Sequence, residues 1–263
     1  HNSALYIDET GLPKKGKMSV GVARQWCGQL GKVDNCQVGV FATLGSDHYS
    51  TPIDFRLFLP EKWTKDPCRC HKAKVPEKHI IFKTKLELAL EMVLAARQNG
   101  VRFKWVGFDS LYGDNPAFVR SLADNGEIFM GDIHKDYRIY HEDPKPSVPV
   151  SAKPGKKSTK LRSQIRSMRV DKWVAKQSVD SWKRVTMRDT TKGKLRADIL
   201  HRRVWVWDGE EKKARKWHLV VRREIKSPEK LKYSLSNAPP GTTIHRLAFM
   251  QAQRYCVERP FQD

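Results

Sequence analysis

The sequence is short of cysteine, of acidic residues and of long apolar runs. Its five cysteines are odd in number and irregularly spaced, which argues against a disulfide framework and predicts a reducing compartment. The longest apolar run, residues 88–96, is interrupted by Glu91 and is too short to span a bilayer. No signal-peptide pattern opens the chain. We therefore expect a cytoplasmic protein rather than a secreted or membrane-spanning one.

The shortage of acids leaves a large positive charge. The chain has 50 lysine and arginine residues against 29 aspartate and glutamate residues, a formal net charge of +21 at pH 7. Such a surplus needs an anionic partner, either nucleic acid or an anionic membrane surface. Because the sequence has no lipidation signal and no basic amphipathic helix, we expect nucleic acid and no membrane.

Length and hydrophobic content predict a folded chain. A hydrophobic fraction of 39% over 263 residues is enough for a sizeable core, in one large domain or two smaller ones. The chain starts at His1 without an initiator Met and stops at Asp263 within a predicted helix. We therefore expect further domains outside this window.

Hydrophobic patterning in the first quarter predicts a meander of β-hairpins. The strand-like runs are apolar or alternate between apolar and polar residues, and Gly, Pro and Asn lie between them. They cover residues 4–8, 19–25, 36–44 and 52–59.

Helices and strands alternate after this meander. Thr84 starts the first helix with a capping box, and Asn115 caps the second. Each helix stops at an Asn-Gly pair and is followed by a strand, over residues 103–108 and 127–133 respectively. The element order predicts an α/β fold, a ribonuclease-H-like mixed sheet with flanking helices that is interrupted later by a β-rich insertion. Fold order alone does not give a function.

The composition changes in the second half. Residues 153–226 hold 24 lysine and arginine residues against eight aspartate and glutamate residues, a net charge of +16 in 74 residues. Strand-like runs over 199–207 and 216–225 flank an Asp208-Gly209 turn, which indicates a basic, β-rich segment. The predicted domains are 1–140 for the first part of the core, 141–240 for the insertion and 241–263 for the truncated last helix of the core.

Three acidic residues fall where this element order would bring them together. Asp8 ends the first strand, Asp109 ends the strand after the first helix, and Glu258 lies on the last helix, which Thr242 or Thr243 caps. Two Mg²⁺ ions held by carboxylates can neutralise charge on the attacking and leaving oxygens when a phosphodiester is cut. The trio suits this role, although any one of the acids, taken alone, is more often a solvated surface group.

Three further acids compete for these places. Asp114 is the main alternative to Asp109, because it follows only five residues later. Its simpler interpretation is a residue at the start of the second helix, favourable to the helix dipole. Glu9 and Glu224 are the other two alternatives.

A short cluster offers three soft metal ligands. Cys68, Cys70 and His71 lie within four residues, but no second pair follows at a zinc-finger spacing. A structural zinc site and a loop with free thiols are the two interpretations, and the spacing favours the loop.

Five tryptophans lie in the basic insertion. We expect Trp205 or Trp207 in the core, as is usual for tryptophan. An exposed tryptophan among lysines would instead stack on an unpaired base. The five are Trp173, Trp182, Trp205, Trp207 and Trp217.

Four stretches of the sequence form a recognisable set. They are Ile7-Asp8-Glu9-Thr10-Gly11-Leu12-Pro13-Lys14-Lys15-Gly16; Gln25-Trp26-Cys27-Gly28 with Gly31-Lys32 and Asn35-Cys36-Gln37-Val38; Asp109-Ser110-Leu111-Tyr112-Gly113-Asp114; and Arg254-Tyr255-Cys256-Val257-Glu258-Arg259. In this order they resemble the motifs of the DDE insertion-sequence transposases, in the branch with a β-rich insertion before the catalytic Glu. The resemblance covers nearly the whole chain.

The resemblance implies a site and an activity. Asp8, Asp109 and Glu258 would hold two Mg²⁺ ions, with Mn²⁺ able to substitute, and Arg254 and Tyr255 would lie near DNA phosphates. The activity would be that of a Mg-dependent DNA endonuclease and strand transferase in cut-and-paste transposition. Related enzymes with such an insertion often pass through a DNA hairpin. The partners would be double-stranded transposon ends and target DNA, bound by a homodimer at the prokaryotic nucleoid.

Two features depart from the family pattern. A Lys expected seven positions after the Glu would fall at position 265, beyond the last residue of the chain. Pro260 follows Glu258 by two residues, where a helix interior disfavours proline by about 3 kcal/mol. We therefore expect a kink there.

Basic residues supply the expected DNA surface. We expect the charges of the insertion to gather on one face, continuous with the mouth of the carboxylate site. Two other functions stay open, a hydrolytic nuclease on the same fold and an inactive transposase-derived DNA-binding protein. The candidate DNA-binding residues are Lys14, Lys15, Arg162, Arg166, Arg202, Arg203, Arg254 and Tyr255.

Overall fold

A computed structural model describes residues 2–46, 49–149, 158–190 and 193–257, except for the side chains of residues 256 and 257. The chain divides into two compact units. Unit 1 is His1–Phe108 with Arg254–Asp263, and unit 2 is Asp109–Gln253.

Unit 1 is built on a mixed sheet around one long strand. β3 pairs antiparallel with β1, β2 and β4, and β1 also pairs in parallel with β5. This pairing confirms the predicted meander followed by a parallel strand, the order of a ribonuclease-H-like sheet. The strands are β1 Ala4–Pro13, β2 Ala23–Cys27, β3 Lys32–Gly45, β4 Ser50–Phe58 and β5 Val106–Phe108.

Two strands of unit 1 differ from the expected ranges. The expected strand over 19–25 begins only at Ala23, because residues 19–21 form a turn in which Gly21 has a φ of +76°. β5 is shorter than the expected 103–108, although the backbone of Lys104 and Trp105 still hydrogen-bonds to Ser3 and Leu5. The apolar start of β1 is fully buried, which explains why it lacks alternation.

The main helix of unit 1 confirms its capping signal. In α3, Lys85–Gln98, the Thr84 hydroxyl accepts from the Glu87 N–H and the Glu87 carboxylate accepts from the Thr84 N–H. The sequence did not predict two short helices, α1 Glu61–Thr64 and α2 Pro67–Lys72. They enclose a small apolar cluster around Trp63, whose indole N–H donates to the Val22 carbonyl at 2.8 Å.

Unit 2 begins with two helices and continues with an antiparallel sheet. The sheet order is β6-β12-β11-β10-β9, and β7 and β8 form a separate small sheet. The elements are α4 Ser110–Gly113, α5 Pro116–Asp124, β6 Phe129–Ile133, β7 Arg138–Ile139, β8 Met168–Arg169, α6 Val170–Val174, β9 Lys183–Thr190, β10 Gly193–Val206, β11 Arg215–Arg223, β12 Leu231–Ser236 and α7 Ile244–Ala252. The insertion is therefore β-rich, as predicted.

Local signals again located helix starts in unit 2. Asn115 accepts from the Phe118 N–H at the start of α5, and of the two candidates for α7 it is Thr243 that caps, accepting from the Arg246 N–H. The last helix is shorter than expected, because α7 ends at Ala252 and a 3₁₀ turn, Gln253–Val257, follows. Across the described ranges no helix is both long and apolar enough to cross a membrane.

The tryptophans of the insertion differ from the prediction. Trp205 and Trp207 are only half-buried, and they lie at and just after the end of β10, beyond the part of that strand that pairs with β9. Trp173 and Trp217 are buried instead. The most exposed tryptophan is Trp26 on β2, outside the insertion.

A histidine pair, His201 half-buried and His218 buried, joins β10 to β11. His218 Nε2 lies 3.1 Å from the carbonyl oxygens of both Ala238 and Pro239, so it carries the proton, and Nδ1 accepts from His201 Nε2 at 2.8 Å. Burial, followed by the neighbouring His218 and Arg203, lowers the pKa of His201 from its ordinary 6.5 to about 4. Burial likewise lowers the pKa of His218. Both imidazoles are neutral at pH 7.

This pair predicts a loss of stability in mild acid. The unfolded chain takes up a proton at His201 near pH 6.5, whereas the folded chain does so only near pH 4, so unfolding is favoured as the pH falls between these values. We expect His201→Gln, which keeps a hydrogen-bond donor, to reduce the loss of unfolding free energy between pH 7 and 4.5. The reduction should be about 1–2 kcal/mol, since partial exposure weakens the effect.

Denaturant unfolding at the two pH values measures this difference. The matched control is His245→Gln, which removes an exposed imidazole from α7. An equal pH dependence in wild type and His201→Gln would contradict the prediction.

Candidate functional site

Asp8 lies where the parallel pairing of β1 ends. The paired residues are Leu5 with Val106, Tyr6 with Gly107 and Ile7 with Phe108, and Asp8 is the next residue along β1. The expectation that Asp8 ends its strand was wrong, because β1 continues to Pro13 through its antiparallel pairing with β3. The side chain is partly exposed, and Oδ1 accepts from the Glu9 N–H at 2.8 Å.

A glycine sets the contact between β1 and β5. A Cβ atom on Gly107 would lie 2.5 Å from the ring of Tyr6, far inside van der Waals contact. Because glycine has no Cβ, the buried Tyr6 ring lies directly against the β5 backbone. This close packing fixes the register between β1 and β5 in the residues just before Asp8.

Arg254 approaches the same carboxylate. Its Nη1 lies 3.8 Å from Asp8 Oδ2, and both side chains are about one quarter exposed. This distance is an ion pair without a direct hydrogen bond. Tyr255, the next residue, is half-buried. The resemblance to a family placed Arg254 near DNA phosphates, and the structure brings its guanidinium to Asp8.

Two of the alternative acids already have cationic partners. Glu9 Oε1 binds Lys85 Nζ at 2.8 Å, which ties β1 to α3, and both side chains are largely buried. Glu224 binds Arg222 at 2.9 Å. Glu9 therefore joins two elements of unit 1, whereas Glu224 pairs with a residue two positions earlier in the chain.

Asp109 is the N-cap of α4 in unit 2. Its Oδ1 accepts from the Leu111 N–H at 3.0 Å, directly after β5 ends at Phe108. The helix then packs tightly on β6, since a Cβ atom on Gly113 would lie 2.0 Å from the Asp132 carbonyl oxygen. Glycine is therefore required in the Tyr-Gly pair that follows Asp109.

Asp114 has a role that the sequence did not indicate. It lies at the end of α4, and its carboxylate accepts from the His134 N–H at 2.9 Å and also binds the imidazole Nδ1 of the same residue. The Nε2 of His134 lies 3.5 Å from the Ser110 hydroxyl. Asp114 does lie directly before the Asn115 cap of α5, as expected, and its contacts with His134 are an additional role. No spacing signal could reveal a pair that is 20 residues apart in the chain.

Glu258, the third predicted acid, lies outside the described residues, as does Pro260. Within the described ranges, no three His, Cys, Asp or Glu side chains form a group that could hold a metal ion. Asp8 and Asp109 are the described members of the predicted trio, one in each unit.

The cysteine cluster lies on a helix rather than in a loop. Asp66 accepts from the Arg69 N–H and Pro67 is the first residue, so the sequence from 67 to 72 forms α2. Cys70 is buried and donates to the Trp63 carbonyl, whereas Cys68, two positions away, is exposed. The two thiols therefore point in different directions.

Most carboxylates of the insertion are bound by arginines. Asp198 on β10 lies between Arg184 on β9 and Arg223 on β11, at 2.9 and 3.2 Å. Five of the eight acids between 153 and 226 are paired in this way, which leaves the lysines and the other arginines of the segment as excess charge. The pairs are Asp171 with Arg169, Asp198 with Arg184 and Arg223, Asp208 with Arg120, Glu211 with Arg215, and Glu224 with Arg222.

The predicted DNA-binding residues fall into two groups. Lys15, Arg162, Arg166 and Arg202 are exposed, and Lys14 is half-buried. Arg203 is different, because its guanidinium donates to the Lys216 carbonyl and lies 3.1 Å from His218 Nε2. Arg203 supports the sheet from within.

Comparison with known proteins defines the class. The family model of the DDE superfamily endonucleases matches residues 1–194, about three quarters of the chain, so this chain belongs to that family. It is 32% identical over 120 residues to the "Probable transposase for insertion sequence element IS701" of Microchaete diplosiphon. That match covers 46% of this chain and 28% of the relative.

A solved structure has a distant likeness. The NurA nuclease from Sulfolobus solfataricus aligns over 96% of this chain and 73% of its own, with 8% identity and a TM-score of 0.35. At that score the likeness carries no argument about fold or function.

The Asp114–His134 contact yields a stability prediction. Asp114→Ala removes both acceptors and leaves the His134 N–H without its partner, so we expect the free energy of unfolding to fall by about 1–2 kcal/mol. Asp114→Asn keeps an acceptor for the N–H and should cost less. Chemical denaturation measures both, with the exposed Asp180→Ala as control. Equal stabilities for Asp114→Ala and wild type would contradict the role given to this carboxylate.

Proposed function

We propose that this chain is the catalytic part of a transposase, which cuts DNA at transposon ends and joins those ends to target DNA. Membership of the DDE superfamily endonucleases supports nuclease chemistry, and the similarity to the IS701 relative supports transposition. In this proposal the enzyme acts as a homodimer on paired double-stranded ends, at the nucleoid of a prokaryotic cell.

The parallel register of β1 and β5 carries the proposal. Ile7 pairs with Phe108, and each of these residues is followed directly by an aspartate of the predicted trio. Neighbouring parallel strands present their following residues at the same edge of a sheet. This register supports Asp8 and Asp109 as ligands of a shared metal site, with Glu258 as the third carboxylate.

The donor set fits a hard divalent cation. All three proposed ligands are carboxylates, which Mg²⁺ prefers and for which Mn²⁺ can substitute. When bound, two such ions would activate the attacking water or 3′-hydroxyl and neutralise charge on the leaving oxygen. Asp8 and Asp109 are already restrained by backbone N–H donors, from Glu9 and Leu111 respectively. This restraint lowers the entropy lost when a ligand set is ordered.

Arg254 would position the DNA strand at this site. Its guanidinium is 3.8 Å from Asp8, close enough to be held by the carboxylate but without a direct hydrogen bond to it. A guanidinium can donate two parallel hydrogen bonds to a phosphate. In this position Arg254 would orient the scissile phosphate towards the carboxylates, and it would offset the negative charge that carboxylates and phosphate bring together.

Cutting is expected to depend on both aspartates. Asp8→Asn and Asp109→Asn should each abolish Mg²⁺-dependent nicking of DNA that carries the transposon ends, because an amide replaces a metal-binding oxygen. DNA binding should stay within about threefold of wild type, since it rests on the basic surface. Ca²⁺ should support binding without cutting. Gel assays of end cleavage, of strand transfer and of binding measure these effects.

The control and the contrary outcomes separate the alternatives. Asp54→Asn, a partly exposed acid on β4 that pairs with Arg56, should cut normally. Undiminished cutting by Asp8→Asn or Asp109→Asn would contradict the proposed two-metal site. Cutting without any joining of ends to target DNA would indicate the hydrolytic nuclease, and binding without cutting by wild type would indicate the inactive DNA-binding protein.

The insertion should dominate the salt dependence of DNA binding. Changing Arg162, Arg166 and Arg202 to Glu should weaken binding and lower the slope of log K against log salt by roughly 2–3, since each lost phosphate contact removes about 0.9. Arg203 is left unchanged because of its internal contacts. The control reverses Lys62, Lys65 and Lys72, three exposed lysines of unit 1. If the two triple variants changed the slope equally, charge alone and not the insertion would explain binding.

A further inference from the structure

The hairpin of β2 and β3 has an apolar surface that faces solvent. Trp26 is 55% exposed and lies directly opposite Val33, which is 50% exposed. Leu30, in the 3₁₀ turn that joins the two strands, is 44% exposed. We refer to residues 24–33 as the hairpin tip. A contiguous exposed patch of this kind on a folded chain indicates an interaction surface.

Packing within the chain does not explain this surface. Along β2 the side chains alternate, so that Cys27 faces inward while Arg24 and Trp26 face outward. The inner side is already filled, because Cys27, Cys36 and Val38 form a buried cluster with Phe58 packed against it. Trp26 does not contribute to this inner cluster, so core packing alone would allow a polar residue at position 26.

The charge around the hairpin tip indicates the partner. Residues 12–36 contain five basic residues and one acid, Asp34. The Asp34 carboxylate forms an ion pair with Lys32 at 3.0 Å and accepts a hydrogen bond from the Asn35 N–H. Within the described part of the chain, no ion pair joins the other four cations to a carboxylate. These are Lys14, Lys15, Lys17 and Arg24.

The basic loop is attached to the hairpin. Asn35 on β3 donates through Nδ2 to the carbonyl oxygens of Lys14 and Gly16, at 2.6 and 2.8 Å. Gln25 on β2 donates to the Cys36 carbonyl at 2.8 Å. The hairpin tip therefore presents its apolar side chains and its neighbouring cations as one ordered surface, which limits the entropy lost on binding.

We propose that the hairpin tip binds DNA at bases that are unpaired or unstacked, with Trp26 against a base face and the lysines of the 14–17 loop on phosphates. The proposal rests on the proposed DNA substrate. A two-stranded ribbon fits a DNA groove, and aromatic side chains stack on exposed bases without regard to sequence. Two copies of the tip would repel each other, because both carry the same excess of positive charge.

Binding to distorted DNA tests the proposal. The probes are a short duplex and the same duplex with unpaired thymines, titrated with the 263-residue chain in Ca²⁺ at several salt concentrations. We expect Trp26→Ala to weaken binding to the duplex with unpaired thymines by about 5- to 150-fold, the range for loss of one stacked base. The salt slope should stay unchanged, because stacking releases no counterions.

Two further variants separate stacking from other effects. Trp26→Phe keeps an aromatic face and should bind the distorted duplex within about threefold of wild type. Tyr49→Ala removes a more exposed aromatic residue from the same unit and should change nothing. Thermal unfolding should be the same for all variants, since neither side chain contributes to the core.

Three results would overturn the inference. The first is equal affinity of Trp26→Ala and wild type for the distorted duplex, and the second is an equal loss with Tyr49→Ala. The third is a loss of self-association by Trp26→Ala in sedimentation with unchanged DNA affinity, which would assign the tip to a second copy of the chain. If the wild type cleaves transposon ends normally in any of these cases, the proposed function still holds and only the inference about the hairpin tip fails. If DNA binding depends on Trp26 but the wild type does not cleave, the inference holds and only the proposed nuclease activity fails.

Discussion

The short parallel ladder between β1 and β5 fixes the two chain segments that lead directly into Asp8 and Asp109. It joins residues about 100 positions apart through three pairs, from Leu5 with Val106 to Ile7 with Phe108. The side chains of the five residues other than Gly107 are buried, and those of Leu5, Ile7, Val106 and Phe108 each contribute about 1.5–3 kcal/mol on leaving water. A slip of one residue would turn Asp8 to the opposite face of the sheet. The Tyr6 ring against Gly107 opposes such a slip, because any other residue at 107 would collide with it.

The arginines and lysines of the insertion have different roles. Arginines such as Arg184 and Arg223 bind the carboxylate of Asp198 across neighbouring strands, and Arg203 on β10 donates to the Lys216 carbonyl on β11. These contacts hold a sheet together despite its charge. The exposed lysines add repulsion that a folded domain alone does not need, which an anionic partner would relieve. The arginines that bind carboxylates within the sheet therefore offset part of the repulsion from the excess positive charge on its surface.

Local signals in the sequence predicted local structure, and contacts between distant residues stayed hidden. Thr84, Asn115 and Thr243 cap helices because a capping hydrogen bond spans only three residues. The pattern over residues 19–25 was misleading, since the left-handed Gly21 breaks the strand. The partnership of Asp114 with His134 depends on how α4 meets β6, and the half-exposure of Trp205 depends on its place in the sheet. Neither is encoded in spacing.

Strand β3 pairs with both the strand that carries Trp26 and the strand that carries Asp8, so it gives a bound on the distance between these two positions in unit 1. Val33, opposite Trp26, and Phe41, opposite Asp8, are eight residues apart on this strand. An antiparallel strand rises about 3.4 Å per residue, so the two positions are at most about 27 Å apart. This distance corresponds to about eight base pairs of B-form DNA. A base held at Trp26 would therefore lie at most about this far from a phosphate bound beside Asp8. In the proposed arrangement such a contact would add affinity and set the register of the DNA, whereas the chemical step would belong to the proposed carboxylate site.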